Sequence, residues 1–330
     1  MRKPTRPVLW LALALVLGLP LCALALTHVV APGDTLWKIG QKYNVPLEEI
    51  RTANNLQSDL IYPGQTLDIP ERPVDYAPLR QQMLDYLATQ PAEYKVYFKD
   101  LMSGKSFGIG ENDWMVAASI TKVPTVLYLN TLAAQGKIDW QEKVTFREED
   151  RQGGAGILQN FVKPGDKFSL RVLANLSITI SDNIAHRMLL RRLGKDNVAA
   201  FMRSLGGQTV YPNGQNITTA RDMAAYMEGV LAFYQQHKDL GRRLLDDMAN
   251  PIYHVGLPGK LPDNVTVAHK EGDVTGVSND FGVVYGSRPF LIVVLSKNQA
   301  DPEAGFEKIA HLTKLAYDYQ EALAKAGYWS

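Results

Sequence analysis

The sequence predicts an α/β chain of the α+β kind. A small βααβ module comes first, followed by an antiparallel sheet flanked by helices, with an all-α subdomain inserted into it. Three observations carry this. Residues 28–70 form a short unit bracketed by two apolar strands, with two helical spacings between them. Strand-like runs at Lys95–Ile109 and Val265–Leu295 enclose a long helical middle. Pro302–Ala326 closes the chain with Phe306, Ile309, Leu312 and Leu315 on one helical face. With 330 residues, 46% hydrophobic and 21% charged, the chain has enough apolar surface for a folded core.

The first 25 residues read as an export signal. Arg2, Lys3 and Arg6 precede an uncharged apolar run from Val8 to Leu26, and Ala23-Leu24-Ala25 offers a cleavage site. Left uncut, the same run is long enough to anchor the chain in a membrane. The formal charge is +1, and cleavage would change it to −2, with 32 basic against 34 acidic residues. No basic excess draws the chain to nucleic acid, and membrane contact is expected only through an uncut segment. The single cysteine, Cys22, excludes an internal disulfide and thiolate metal clusters. The expected location is extracytoplasmic: secreted and wall-associated, or anchored by residues 8–26.

In residues 28–70, strands are expected at His28–Val30 and Thr66–Ile69. Asp34 and Thr35 stand at the N-cap before Leu36, Ile39 and Tyr43. Pro46 opens a second helix, with Leu47, Ile50 and Ala53 facing inward. Val30, Gly33, Asp34, Thr35, Leu36, Ile39, Tyr43, Asn54 and the Pro63-Gly64-Gln65 turn together resemble a LysM domain. The resemblance implies binding to N-acetylglucosamine-containing glycans such as peptidoglycan, through main-chain groups. The groove would be lined by Gly33, Asp34, Thr35 and Leu36, and by Leu60, Ile61, Tyr62 and Pro63. Residues 71–78, charged and proline-rich, are expected to be a semi-stiff linker before a domain spanning 79–330.

In the large domain a helix is expected at Leu79–Thr89, and a hairpin joins Lys95–Leu101 to Lys105–Ile109. Strands are expected at Val265–His269, Phe281–Tyr285 and Phe290–Leu295. Gly104-Lys105-Ser106 lacks the first glycine of a phosphate loop and reads as a hairpin turn. His-Glu-x-x-His and Gly-x-Ser-x-Gly are both absent. Neither a metal nor a cofactor is expected.

Three short motifs remain. Ser119-Ile120-Thr121-Lys122 opens a helix running to Gly136, which puts Ser119 and Lys122 on one face. A serine hydroxyl needs a base to become a nucleophile, and a neutral lysine can serve. Ser181-Asp182-Asn183 follows 62 residues later, between the apolar helix Leu170–Ile180 and a helix at Ile184–Leu193. Third, His269-Lys270-Glu271-Gly272 ends a strand and leads through Asp273 to Asn279-Asp280-Phe281-Gly282. Taken singly, each motif reads as a cap, a turn or a solvated lysine.

In this order, Ser-x-x-Lys, Ser-Asp-Asn and Lys-x-Gly resemble the penicillin-recognising serine hydrolases, and over 79–327 the class A β-lactamase family. Ala117–Pro124, Ser181–Ala185, Thr218–Met223 and Asn279–Val284 add to the likeness. The resemblance implies Ser119 as the acylated nucleophile and Lys122 as its base. It implies Ser181 as proton relay, Asn183 as holder of Lys122 and of the substrate amide, and Lys270 as the charge facing a substrate carboxylate. The oxyanion would rest on the N–H groups of Ser119 and Asp273.

Two departures stand out. The family's deacylating glutamate lies between the second and third motifs, and no carboxylate occurs after Asp196 until Asp222. Glu148, Glu149 and Asp150 precede Ser181 and so stand on the wrong side in chain order. Glu271 replaces a hydroxyl residue and is expected to weaken carboxylate binding. The expected activity is therefore a wall-targeted D,D-peptidase acting on peptidoglycan stem peptides and acylated by β-lactams. The alternatives are a β-lactamase with a different deacylation route and a non-catalytic wall-binding protein.

Overall fold

A computed structural model describes residues 26–43, 45–70 and 74–328; the expected export signal and Cys22 lie outside them. The chain divides into two compact units between Arg72 and Pro73. None of the described helices is long and apolar enough to cross a membrane.

The small unit runs β1 (Leu26–Val29), α1 (Leu36–Tyr43), α2 (Leu47–Ala53) and β2 (Thr66–Ile69). β1 and β2 pair antiparallel, Leu26 opposite Ile69 and Val29 opposite Thr66. The core holds Val30, Leu36, Ile39, Val45, Ile50, Leu67 and Ile69. Ala53, expected inward, is exposed, and Val45 from the turn between the helices takes its place. Of the two cap candidates, Thr35 caps α1, its Oγ1 accepting from Lys38 N–H at 3.1 Å. Asp34 instead braces the preceding turn, accepting from Ala31 N–H at 2.8 Å and bonding His28 at 2.9 Å. Asn54 ties α2 to β2 by exchanging two 2.7 Å bonds with the main chain of Asp68.

The large unit opens with α3 (Ala77–Ala88), β3 (Glu93–Asp100) and β4 (Ser106–Ile109). Val74 and Tyr76, expected in a linker, are instead buried in its core, where the Tyr76 hydroxyl bonds Gln320 at 2.8 Å. The middle contains β5 (Met115–Val116), α4 (Lys122–Ala134), β6 (Lys143–Thr145), β7 (Lys167–Ser169), α5 (Leu170–Thr179), α6 (Asn183–Leu193) and α7 (Lys195–Ser204). It continues through β8 (Ile217–Thr218), α8 (Ala220–Gln236) and α9 (Lys238–Ala249). The chain then closes with β9 (Thr266–Val274), β10 (Val277–Tyr285), β11 (Phe290–Lys297) and α10 (Pro302–Lys325). The middle is not wholly α, because β5 pairs with β8 and β6 with β7.

The sheet order is β4-β3-β11-β10-β9, antiparallel throughout. Its side chains alternate between two cores. Val96, Phe98, Ile292 and Val294 pack with Leu79, Ile309 and Leu312 of α3 and α10. Tyr97, Val293 and Leu295 face the helices of the middle. Burial on both faces explains the unbroken apolar run Phe290–Leu295.

β9 and β10 extend well beyond the expected strands, so Lys270 to Asp273 lie within a strand rather than after one. The polar run Ser278-Asn279-Asp280 hid the start of β10. It is buried and hydrogen-bonded, and burial rather than apolarity makes a strand position.

Candidate active site

Ser119 does not open an α-helix directly. It lies in a 3₁₀ turn, Ala118–Thr121, that leads into α4, and Ala118 has the left-handed φ of 53°. Ser181 shares this conformation, with φ 55°. Neither is glycine, so each position stores conformational strain that its surroundings must hold. Asp182 supplies part of the restraint. It caps α6, accepting from Ala185 N–H at 2.9 Å, and its other oxygen accepts from Leu158 N–H at 2.9 Å.

Lys122 is buried at the centre. Its Nζ donates to Ser181 O at 2.5 Å, Ser181 Oγ at 3.0 Å and Asn183 Oδ1 at 2.7 Å. Burial, and then the Lys270 charge, pull its pKa down to about 7. Asn183 is itself held, its Nδ2 donating to Gly153 O at 2.9 Å. Lys270 is buried, donates to Glu271 O at 2.7 Å, and is lowered by burial to about 8.

β9 is an edge strand lying against the Ser119 turn. A Cβ on Gly272 would come within 2.7 Å of Ser119 N and 3.0 Å of Ile120 N, so only glycine allows this approach. Ser119, Lys122, Asn183 and Asp273 open onto one cleft of about 1130 Å³. Ser181 and Lys270 are buried and do not line it.

Glu271 departs from expectation. Its carboxylate turns away and accepts from Val255 N–H at 3.0 Å and Gly256 N–H at 2.7 Å, binding that loop to β9. Burial, and then neighbouring Asp280, push its pKa up to about 7. His269, Glu271 and Asp280 bring ligand-type atoms within 4.8 Å of one another, the one such buried cluster among the described residues. Glu271 Oε1 and Asp280 are already hydrogen-bonded, Asp280 to Leu257 N–H at 2.7 Å and to His269 Nδ1 at 2.9 Å.

Chain order also misleads for the acids. Glu149 and Asp150 line the same cleft as Ser119. Both are matched by cations: Asp150 by Arg191 at 2.8 Å, Glu149 by Arg147 at 3.3 Å and Arg191 at 3.6 Å. The carboxylate-free segment contributes Tyr211 and Asn216 to the cleft. Asn216 donates to Ala118 O at 2.8 Å and accepts from the Thr121 hydroxyl at 3.1 Å, bracing the serine turn. His186, one helical turn beyond Asn183, bonds Thr125 at 3.2 Å, and burial pushes its pKa down to about 3. Neither Asn216 nor His186 belongs to a short motif, so no sequence signal singled them out.

In the small unit, Leu36 is fully buried, so only its main chain can face a glycan. Ile61 packs on the core, whereas Leu60 and Tyr62 are exposed. Trp37, not among the expected groove residues, is 63% exposed on α1.

The family profile of the Beta-lactamase enzyme family matches residues 78–320. The chain belongs to the beta-lactamase enzyme family. It is a serine hydrolase on that fold, and a LysM domain, the peptidoglycan-binding module, matches residues 28–70. The beta-lactamase of Bacillus licheniformis is 23% identical over 283 residues, covering 80% of this chain and 88% of that one. The N-acetylmuramoyl-L-alanine amidase sle1 of Staphylococcus aureus is 42% identical over 45 residues, 14% of each chain. Among solved structures, PBP-A is 30% identical at a TM-score of 0.71, covering 77% of this chain and 99% of its own. A beta-lactamase from Sphaerobacter thermophilus, 21% identical at a TM-score of 0.69, shares the fold over 76% of this chain and 98% of its own.

Proposed function

We infer that this family member is an exported, wall-associated D,D-peptidase that opens peptidoglycan stem peptides through an acyl-enzyme on Ser119. The single observation that carries the reading is Lys122, buried among Ser181 and Asn183 with its pKa drawn down to about 7. A lysine so tuned is neutral in a large fraction of molecules near pH 7 and can take a proton from serine.

In the first step Ser119 Oγ attacks the scissile carbonyl and its proton passes to Lys122 Nζ. The oxyanion rests on the N–H groups of Ser119 and Asp273. As the C–N bond breaks, the proton moves through Ser181 to the leaving nitrogen, the amine departs, and an ester remains on Ser119. Lys270 supplies positive charge for a carboxylate on the leaving portion. Water then cleaves the ester and restores the hydroxyl.

The LysM domain supports a polymeric substrate, because holding the wall raises the local concentration of stem peptides. Its Gly33–Leu36 and Leu60–Pro63 loops are the proposed glycan contacts. The sle1 amidase, whose name places it on the same polymer, supports wall association. PBP-A, solved as a mutant acyl-enzyme with penicillin G, supports acylation by β-lactams. A second reading, β-lactam hydrolysis, is favoured by Glu149 in the cleft. The test is intact mass over time after mixing with benzylpenicillin, beside Ser119→Ala. A lasting adduct on the wild type alone supports the peptidase. An adduct that turns over within seconds supports the β-lactamase, and no adduct on either overturns acylation by β-lactams.

A further inference from the structure

The cleft does not stop at the catalytic cluster. It continues past Asn183 along α6 to Arg187 and Arg191, and reaches Lys195 at the start of α7. Asn183, Arg187 and Arg191 recur at four-residue spacing and so share one helix face.

The charges along this arm are not balanced. Arg191 is neutralised by its paired bonds to Asp150, both at 2.8 Å. Glu149 is held by Arg147 and Arg191. Arg187 spends one nitrogen on the main-chain oxygen of Glu149, at 2.9 Å, and has no carboxylate partner among the described residues. Lys195 lies 5.1 Å from the Tyr211 ring centroid and likewise has no acidic partner among them. Two exposed cations therefore face one wall of the cleft without counter-charge.

We propose that this arm is an anion subsite, in which Arg187 and Lys195 take a carboxylate on the acyl-donor side of a peptide substrate. The side follows from the reaction assigned above, on which this inference rests. The resemblance gives Asn183 the substrate amide of the acyl portion, and Arg187 lies beyond Asn183 on the same helix face. The distance follows from the helix. Arg187 is one turn, roughly 6 Å, beyond Asn183, and an extended peptide covers that span in about two residues. The preferred substrate is thus an acidic peptide with its carboxylate about two residues before the scissile bond. Arg187 serves as the directional, bidentate partner and Lys195 as a second point charge.

Binding and cleavage are measured separately. Two peptides ending in D-Ala-D-Ala, with glutamyl or glutaminyl two residues before the scissile bond, are titrated calorimetrically into Ser119→Ala in the full chain. The glutamyl peptide is expected to bind about five- to tenfold tighter. That preference is expected to shrink when Arg187→Gln or Lys195→Gln is added, to survive better in Arg187→Lys, and to fall as salt rises. Equal binding of the two peptides, or a preference untouched by both glutamine variants, overturns the subsite. Cleavage by the wild type is followed in parallel. A binding preference without cleavage retains the subsite and overturns the peptidase reading; cleavage without preference does the reverse.

Discussion

Of the three acceptors around Lys122 Nζ, Ser181 Oγ at 3.0 Å is the one that carries a hydrogen of its own. As an ammonium, Lys122 donates to all three. Once neutral it has two N–H bonds and a lone pair. The main-chain oxygen of Ser181 and the amide oxygen of Asn183 can only accept, so the Ser181 hydroxyl is the contact whose direction can reverse. In the proposed reaction a proton can therefore pass between Lys122 and Ser181 with little movement of heavy atoms.

Acylation should follow the neutral fraction of Lys122. The folded pKa of about 7 lies below the ordinary 10.5, so the active amine accumulates as pH rises through 7. Lys270, lowered to about 8, loses its charge above that, which would weaken the hold on a substrate carboxylate proposed for it. The second-order rate of acylation by a fluorescent penicillin should rise from pH 5 to 7 and decline beyond about 8. A flat profile across pH 5–8 would exclude Lys122 as the base.

Gly272→Ala tests how closely β9 approaches the serine turn. The added methyl meets Ser119 N at 2.7 Å, backbone against which there is no flexible side chain to yield. Acylation should fall about 100-fold or more as the oxyanion donors separate, while stability drops by about 1–3 kcal/mol. Penicillin labelling beside a urea melt distinguishes the two effects. Full activity in a folded variant would show that the strand can retreat without cost.

Glu271→Gln should alter the pH dependence of stability. The folded pKa of about 7 is above the ordinary 4.5, so the protonated carboxyl is the form the fold prefers. The stability it contributes is present below about pH 4.5 and is lost as pH rises through 7. Glutamine keeps an acceptor for Val255 and Gly256 without the charge. The melting temperatures of wild type and variant should nearly coincide at pH 5 and diverge by pH 8, the variant gaining on the order of 2 kcal/mol. Parallel curves would refute the argument.

Trp37→Ala tests the small unit. The indole is 63% exposed directly after the Gly33–Leu36 loop, and a solvent-facing aromatic offers a flat surface to a sugar ring. Cosedimentation with insoluble peptidoglycan should fall several-fold while the unfolding midpoint is kept. Unchanged cosedimentation would remove Trp37 from the glycan surface.

Much of the molecule was legible beforehand because its cues are local. The 3.6-residue spacing in Pro302–Ala326, the apolar run Phe290–Leu295 and the Leu36, Ile39, Ile50 pattern each follow from one element burying one or both faces. The motifs around Ser119, Ser181 and Lys270 were legible for the same reason: each is a few consecutive residues. The resemblance implies that Asn183 holds Lys122, and in the fold Lys122 donates to Asn183 and also to Ser181.

Residue types and spacing by themselves pointed to a small unit before a large one and to the antiparallel sheet, and the family resemblance named the candidate site residues. Tertiary structure alone decided what those residues face. Glu271 turns under a loop 15 residues earlier in the chain, and Glu149 reaches the cleft from before the second motif. Asn216 braces a turn 98 residues away, and Arg187 and Lys195 have no acidic partner among the described residues. A side chain's type is written in the sequence, but its partners depend on which distant segments share its space, and charge and burial act through space rather than along the chain.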